Sequence, residues 1–547
     1  MHEPCNRYPL LVGQLLHNAL QASPDQTITY RDRVTLSYRD LRLRIGRLAA
    51  ALAALGVRPG STVAMMDYDS HRYLEAFFAV PMMGAVLHTV NVRLAPDEIL
   101  YTINHAEDDV VLVHRDFLPV LERIAERIAR PVAFVLLADE PGAAETTVPL
   151  AGEYEALLAA AEPDFAFPDL DENATATTFY TTGTTGLPKG VMFSHRQLVL
   201  HTLAGGLGFA ASAAGPRLHR EDVYMPLTPM FHVHAWGLPY MATLLGLKQV
   251  YPGKFDPAVA CALIGRHRVS FTHGVPAIAQ ALLSHPKAAE TDFSGMTMVV
   301  GGSALPTSLA QKALERGIQI VTGYGMSETC PLLTLAWPTQ DELALPVDQQ
   351  AALRTRTGKP FPLVRLAVVD EAMAAQPQDA TSLGEVVAQS PWLTARYAKD
   401  DKASAALWAG GWLHTGDIGH VCPRGYLVIT DRLKDVIKSG GEWISSLQLE
   451  DLISRHPSVA EAAVVGAPDP RWGEAAVAYV VCRPEAAPVT QEAIAAHLAQ
   501  FVKLGLLPRW AAPRDVHCVE AIPRTSVGKI NKRALRAEAQ APAPATA

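Results

Sequence analysis

Residues 178–190 read TFYTTGTTGLPKG, an aromatic pair set among five threonines, three glycines and one lysine. The glycines let backbone N–H groups turn toward an anion, and the hydroxyls of Thr181, Thr182, Thr184 and Thr185 add donors, so the stretch can wrap a polyphosphate. It is not the P-loop of a nucleotide hydrolase. Counting GxxxxGK[ST] from Gly183 puts Pro188 where glycine is needed and Gly190 where a magnesium-holding hydroxyl is needed. GYGMSE at 323–328 lacks the last glycine of GxGxxG, and GMSET lacks that of GxSxG. Downstream, KGVMFS (189–194) reads as a strand, and Ser194 with Gln197 makes a capping box that starts a helix over HRQLVLHTLAG. A flexible polar connector is the plain alternative for this stretch read alone.

On either side the pattern is αβ. Before it, from Leu10 to about Leu170, a helical run such as LSYRDLRLRIGRLAAALAALGV alternates with short strands such as STVAMM and DDVVLVH, which points to a largely parallel sheet. PGAAETTVPLAGEYEALLAAAEPDFAFPD (141–169) loses that periodicity and reads as a surface excursion. A second block from about Thr177 to Val369 mixes the strands KQVYP, MTMVVGG and IQIVTGYG with helices such as DPAVACALIGRHR. A strand-rich region around LVRLAVVD, GEVVAQS and GYLVITDR overlaps its end and continues past it. At Asp431 the texture changes to the charged, glycine-punctuated DRLKDVIKSGGEWIS. We expect domains over 1–431 and 432–536, with a disordered Ala/Pro-rich tail at 537–547.

The totals narrow the function. In 547 residues, 49% are hydrophobic and 19% charged, as suits a globular protein of several packed units, and the net charge of −8 argues against a nucleic-acid partner. The six cysteines lie far apart, without a CxxC pair or a secreted framework, so a reducing cytoplasm is the expected compartment. No signal peptide and no apolar run long enough to span a bilayer is read in the chain, while peripheral membrane contact and a homodimer stay open.

TFYTTGTTGLPKG, PMFHVHAWG, GYGMSETCP, HTGDIG, DRLKDVIKSGGEWIS and PRTSVGKINK resemble, in order and approximate spacing, the motifs of the adenylate-forming enzymes. That superfamily holds acyl-CoA synthetases, luciferase and peptide-synthetase adenylation domains, and the segments 189–204, 229–253 and 437–446 look most like bacterial medium- and long-chain fatty acyl-CoA synthetases. The resemblance implies an α/β fold with a large N-terminal domain of two αβ subdomains plus a β-barrel, and a small mobile α+β C-terminal lid. It implies ligation of a carboxylic acid to coenzyme A with ATP and Mg²⁺, through an acyl-adenylate. An aryl or short functionalised acid as substrate, or an acyl carrier protein as acceptor, are the alternatives.

Carried over residue by residue, Thr181, Thr182, Gly183, Thr184, Thr185, Gly186 and Lys189 hold the β- and γ-phosphates, and Glu328 carries Mg²⁺. Gly323, Tyr324, Gly325, Ser327 and Thr329 lie along the nucleotide, with Tyr324 near adenine. Asp417 and Arg432 reach the ribose. Lys529 is the cation between carboxylate and α-phosphate, and Lys434 is the hinge. Lys438, Gly440, Gly441 and Trp443 form a second face used after rotation. His232 lies by the acyl carboxylate, Trp236 gates an acyl tunnel, and Gly301, Gly302 and Ser303 line it. Read without the resemblance, His232 and His234 share one side of a strand, an i, i+2 pair that lacks the further ligands of a zinc site.

Overall fold

The computed structural model describes residues 8–140, 142, 144–181, 187–211, 217–439, 442–484, 486–504, 507–524 and 530–540. By its contacts the chain forms two compact units, one of residues 1–365 with 389–413, the other of 366–388 with 414–547.

The first unit holds two sheets. One has seven strands in the order 150–153, 133–137, 110–114, 62–66, 86–89, 175–181, 189–194, parallel except for the last. Thr62–Met66 and Val110–His114 are buried at every position, as expected for parallel strands covered on both faces. The second sheet has nine strands, and its parallel centre runs through Gln319–Gly325, Thr297–Val300, Phe271–Gly274, Val223–Pro226, Lys248–Tyr251 and Thr27–Tyr30.

The two αβ blocks therefore are not the contiguous segments expected. Thr27–Tyr30 and Val34–Ser37 join the second sheet, where Ile28 pairs with Gln249, and Thr175–Ser194 closes the first. Non-local pairing decides this, and local periodicity does not report it. The supposed surface excursion is also structured. Leu150–Glu153 pairs with Ala133–Leu137, and the helix Tyr154–Ala160 buries Tyr154. The Tyr154 hydroxyl donates to Glu75 Oε2 at 2.5 Å, and the Arg44 guanidinium bridges Glu75 and Glu155 at 2.7 Å each. This carboxylate is buried but paired, as a buried charge must be.

In the second unit, the strands expected as a barrel form a four-stranded sheet in the order 365–369, 384–389, 413–421, 427–432. Beyond it, Val459–Asp469 and Gly473–Cys482 make a long antiparallel pair, extended by Asp515–Cys518 and by Ile437–Ser439. Helices Ser446–Ser454 and Gln491–Lys503 cover one face through Leu449, Ile453, Ile494 and Leu498. Asp431, the expected boundary, lies inside this unit. Residues 537–540, expected in the tail, continue the helix Lys532–Gln540, because Leu535 is buried in and Ala539 packed against a second core with Tyr479 and Ile522. Residues 541–547 lie outside the described residues.

Candidate active site

Thr181 ends one strand and Lys189 begins the next, and the two are cross-strand partners. The expected cradle residues Thr182, Gly183, Thr184, Thr185 and Gly186 lie outside the described residues. Lys189 is exposed, with Nζ 4.8 Å from the centre of the Tyr397 ring, a cation–π distance. The backbone sets this contact: Val191 and Tyr397 form a β-bridge, and Ala398 N–H donates to the Gly190 carbonyl at 2.8 Å.

Tyr397 also faces Glu328. Its hydroxyl donates to Glu328 Oε1 at 2.6 Å, and Thr394 N–H donates to the Glu328 carbonyl at 2.9 Å. Burial, then the Glu328 charge, pushes the Tyr397 phenol far above its ordinary value, so the phenol remains a donor at working pH. Glu328 is 7% exposed, and among the described residues its Oε2 takes no hydrogen bond or ion pair. The site thus holds a cation, a phenol and a half-committed buried carboxylate in a row.

GYGMSETCP is folded tightly around Thr329, whose hydroxyl oxygen accepts from Met326 N–H at 3.0 Å and whose hydroxyl is paired with the Pro331 carbonyl. A Cβ at Gly325 would lie 1.6 Å from the Pro331 carbonyl oxygen, so only glycine fits. Tyr324 and Ser327 are half-buried beside it.

Trp236, Gly301 and Gly323 meet at the C-terminal ends of adjacent parallel strands. A Cβ at Gly301 would lie 2.7 Å from the Gly323 carbonyl oxygen and 3.2 Å from the Trp236 ring. Gly302 and Ser303 follow on the exposed turn, Gly302 with φ of 80°. The missing side chain at Gly301 is what lets the Gly323 carbonyl and the Trp236 ring approach this closely.

His232 and His234 do not share a strand. Val233, His234, Ala235, Trp236 and Gly237 have φ of 41°, 58°, 47°, 60° and 72°, one left-handed turn with four non-glycine residues. Such residues cost roughly 1–2 kcal/mol each in this region, so the surroundings must impose it. Asp69 Oδ1 accepts from Met230 N–H at 2.7 Å and the Thr89 hydroxyl donates to the Phe231 carbonyl at 2.9 Å. A Cβ at Gly237 would lie 2.7 Å from the His201 ring. His234 is fully buried against Phe77, Phe179 and Phe193, with burial pulling its pKa down to about 3. Trp236 is held against His273, ring centres 5.1 Å apart, while His232 is half-buried at the start of the turn. Among the described residues no group of three or more His, Cys, Asp or Glu side chains could hold a metal ion.

In the second unit, Asp417 and Arg432 are cross-strand partners, with Arg432 Nε 3.2 Å from Asp417 Oδ1. Asp417 is 4% exposed, and its N–H donates to Thr415 Oγ1 at 3.1 Å. Lys434 is exposed, and its carbonyl accepts from the Arg536 guanidinium at 2.8 Å. Lys438 and Trp443 are cross-strand partners on a short hairpin. Gly440, Gly441 and Lys529 lie outside the described residues.

The family model for "AMP-binding enzyme" matches residues 16–398, and that for the "AMP-binding enzyme C-terminal domain" matches 448–529. The chain belongs to the AMP-binding enzymes. It is 44% identical over 503 residues to a long-chain-fatty-acid–CoA ligase of Thermus thermophilus, covering 91% of this chain and 89% of that one. It is 37% identical to a 3-methylmercaptopropionyl-CoA ligase of Ruegeria pomeroyi, over 96% and 97% of the two chains. Among solved structures it is similar in fold to the anthranilate CoA ligase AuaEII (TM-score 0.84, 23% identity, 97% and 98% covered).

Sequence reasoning missed residues of this AMP-binding enzyme that support the site. Tyr397, in TARYAKD, carries no motif signal and is found only through its strand contact with Val191. Lys532 and Arg536, four apart on the last helix, hold both sides of the Asp431–Asp435 segment. Lys532 Nζ donates to Ser446 Oγ at 2.6 Å and lies 2.7 Å from Glu450 Oε1, while Ser446 N–H donates to Asp431. Arg536 pairs with Asp435. Their spacing was legible in NKRALR, but their partners were not.

Proposed function

We propose that this enzyme is an ATP-dependent fatty acid–CoA ligase acting in two half-reactions. A carboxylate oxygen of the acid attacks the α-phosphorus of ATP and pyrophosphate leaves; the coenzyme A thiolate then attacks the acyl carbonyl and AMP leaves. The observation that carries the reading is the 44% identity, over nearly the whole chain, to the Thermus long-chain ligase.

The residues divide the work by charge. Thr181, the following loop and Lys189 would bind the β- and γ-phosphates, and Tyr397 would fix both Lys189 and Glu328 in place, a preorganised arrangement that costs no reorganisation during reaction. The fit for Mg²⁺ rests on Glu328: one buried carboxylate with an uncommitted oxygen suits a metal held by one carboxylate, phosphate oxygens and water. When bound there, Mg²⁺ would neutralise phosphate charge. Asp417 would accept hydrogen bonds from the ribose hydroxyls, with Arg432 beside it. Lys529 would stabilise charge between carboxylate and α-phosphate, and rotation about Lys434 would exchange it for the face bearing Lys438, Gly440, Gly441 and Trp443. Trp236, Gly301, Gly302 and Ser303 would border the acyl group, with His232 near its carboxylate.

Identity to the 3-methylmercaptopropionyl ligase favours a second reading, a short thioether acid as substrate. Incubation with ATP, Mg²⁺ and coenzyme A across saturated acids of increasing length, 3-methylmercaptopropionate and benzoate separates them. A maximum of thioester formation at medium or long chains supports the first reading. A maximum at the thioether acid supports the second, and no thioester with any acid contradicts both.

A further inference from the structure

The strands Thr297–Val300 and Gln319–Gly325 begin around a different cavity, of about 480 Å³, lined by Arg217, His219, Asp222, Thr297, Gln319 and Arg354 among others. Thr297 to Gly301 is four residues of strand, about 13 Å, so this cavity lies at the opposite end of the sheet from the acyl-side glycines. Its volume is within the usual range for a small-molecule site.

Arg354 sets its character. It is 1% exposed, and its hydrogen bonds go to neutral acceptors: the Ile320 carbonyl at 3.3 Å, Gln319 Oε1 at 2.8 Å and Gln350 Oε1 at 3.2 Å. Nε has no partner, and among the described residues no carboxylate ion-pairs with this guanidinium. Burial alone pulls its pKa down to about 10. A charge withdrawn from water and left without a counter-charge is costly, and an incoming anion removes that cost.

The acid in the cavity does not serve. Asp222 Oδ1 accepts from the Ser270 hydroxyl at 2.6 Å, and Oδ2 accepts from His219 N–H at 2.7 Å with the His219 ring 3.7 Å away. Arg217, exposed at the cavity, has no carboxylate partner among the described residues. Among the described residues the Thr297 hydroxyl and the Gln319 amide nitrogen make no other hydrogen bond, while Gln319 Oε1 takes the Arg354 bond. Two guanidinium groups with neutral donors match the charge and the several acceptor oxygens of a phosphate.

We propose that this cavity is a second ligand site, for a phosphate-class oxyanion held by Arg217 and Arg354, as free phosphate or as the phosphate of a small phosphomonoester. The site stands apart from the ligase reading. The test is calorimetric titration with inorganic phosphate, glycerol 3-phosphate and succinate while a non-hydrolysable acyl-sulfamoyl adenosine occupies the adenylate site. Hydrogen exchange is followed on peptides covering 217–223, 295–300 and 347–356.

Saturable binding with protection of those peptides is expected, weakened about tenfold or more by both Arg217→Ala and Arg354→Gln and unaffected by Lys189→Ala. Glycerol 3-phosphate binding alone identifies a phosphomonoester ligand, and equal binding of inorganic phosphate identifies free phosphate. Arg217 is exposed, so its variant tests the site even if Arg354→Gln does not fold. No saturable binding of either phosphate, binding unchanged in Arg217→Ala, equal binding of succinate, or loss in Lys189→Ala would each overturn the proposal.

Discussion

Replacing Tyr397 by phenylalanine removes one oxygen and leaves the ring over Lys189. The lost bond is 2.6 Å long, goes to a carboxylate 7% exposed, and is the only hydrogen bond recorded for that carboxylate group among the described residues. A hydrogen bond to a charged group contributes about 1.5–3 kcal/mol, equivalent to roughly a ten- to hundredfold effect if it is fully expressed in the transition state. Because the phenol orients Glu328, the loss should appear as a raised Mg²⁺ requirement and a fall in kcat/KM of adenylation, read by pyrophosphate release with Mg²⁺ varied at fixed ATP. Tyr397→Leu removes the ring as well and should add about two- to fivefold, from a cation–π contact worth about 0.5–1 kcal/mol at an exposed lysine. If Tyr397→Phe stays within about twofold of the parent at every Mg²⁺ concentration, the reasoning that Tyr397 positions Glu328 is wrong.

Other consequences concern folding and pH. Lys532→Met leaves Glu450 and Asp431, whose carboxyls are raised by burial, without their cation; about 3–5 kcal/mol of stability should be lost at pH 7. Raised carboxyl values mean that the folded state prefers the protonated forms, so this deficit should shrink as pH falls toward 5 in urea unfolding. Asp69, raised to about 8 by burial, holds a proton that the unfolded chain releases above about pH 4, so wild-type stability should decline by about 1.4 kcal/mol per pH unit from this group between pH 5 and 8. Asp69→Asn keeps an acceptor for Met230 and should lack that slope, and parallel pH profiles in the two proteins would refute the assignment. Gly325→Ala places a methyl against the Pro331 carbonyl oxygen, and a loss above about 3 kcal/mol, seen as a lower unfolding midpoint, is expected.

Much of this molecule was legible where the signal is local. KGVMFS is the strand Lys189–Ser194, and Ser194 with Gln197 caps the following helix with both reciprocal bonds present. Thr297–Val300 and Gln319–Gly325 also follow the strands read from sequence. The exchange of strands between the two sheets was hidden, because pairing Ile28 with Gln249 depends on residues about two hundred positions apart. The turn at Val233–Gly237 was hidden for another reason: FHVHAW has the residue types of an extended segment, and only burial of His234 and Trp236 with anchors at Asp69 and Thr89 imposes left-handed backbone. In the site, Lys189 and Glu328 were legible as motif members, but Tyr397 between them was visible only in three dimensions.

The most direct test of the two-step ligase is to supply a fatty acid labelled with ¹⁸O in both carboxylate oxygens, with ATP, Mg²⁺ and coenzyme A, and to weigh the nucleotide product. An acyl-adenylate intermediate transfers one ¹⁸O to the phosphate of AMP for each thioester formed. Unlabelled AMP, or ADP with the label in inorganic phosphate, would contradict it.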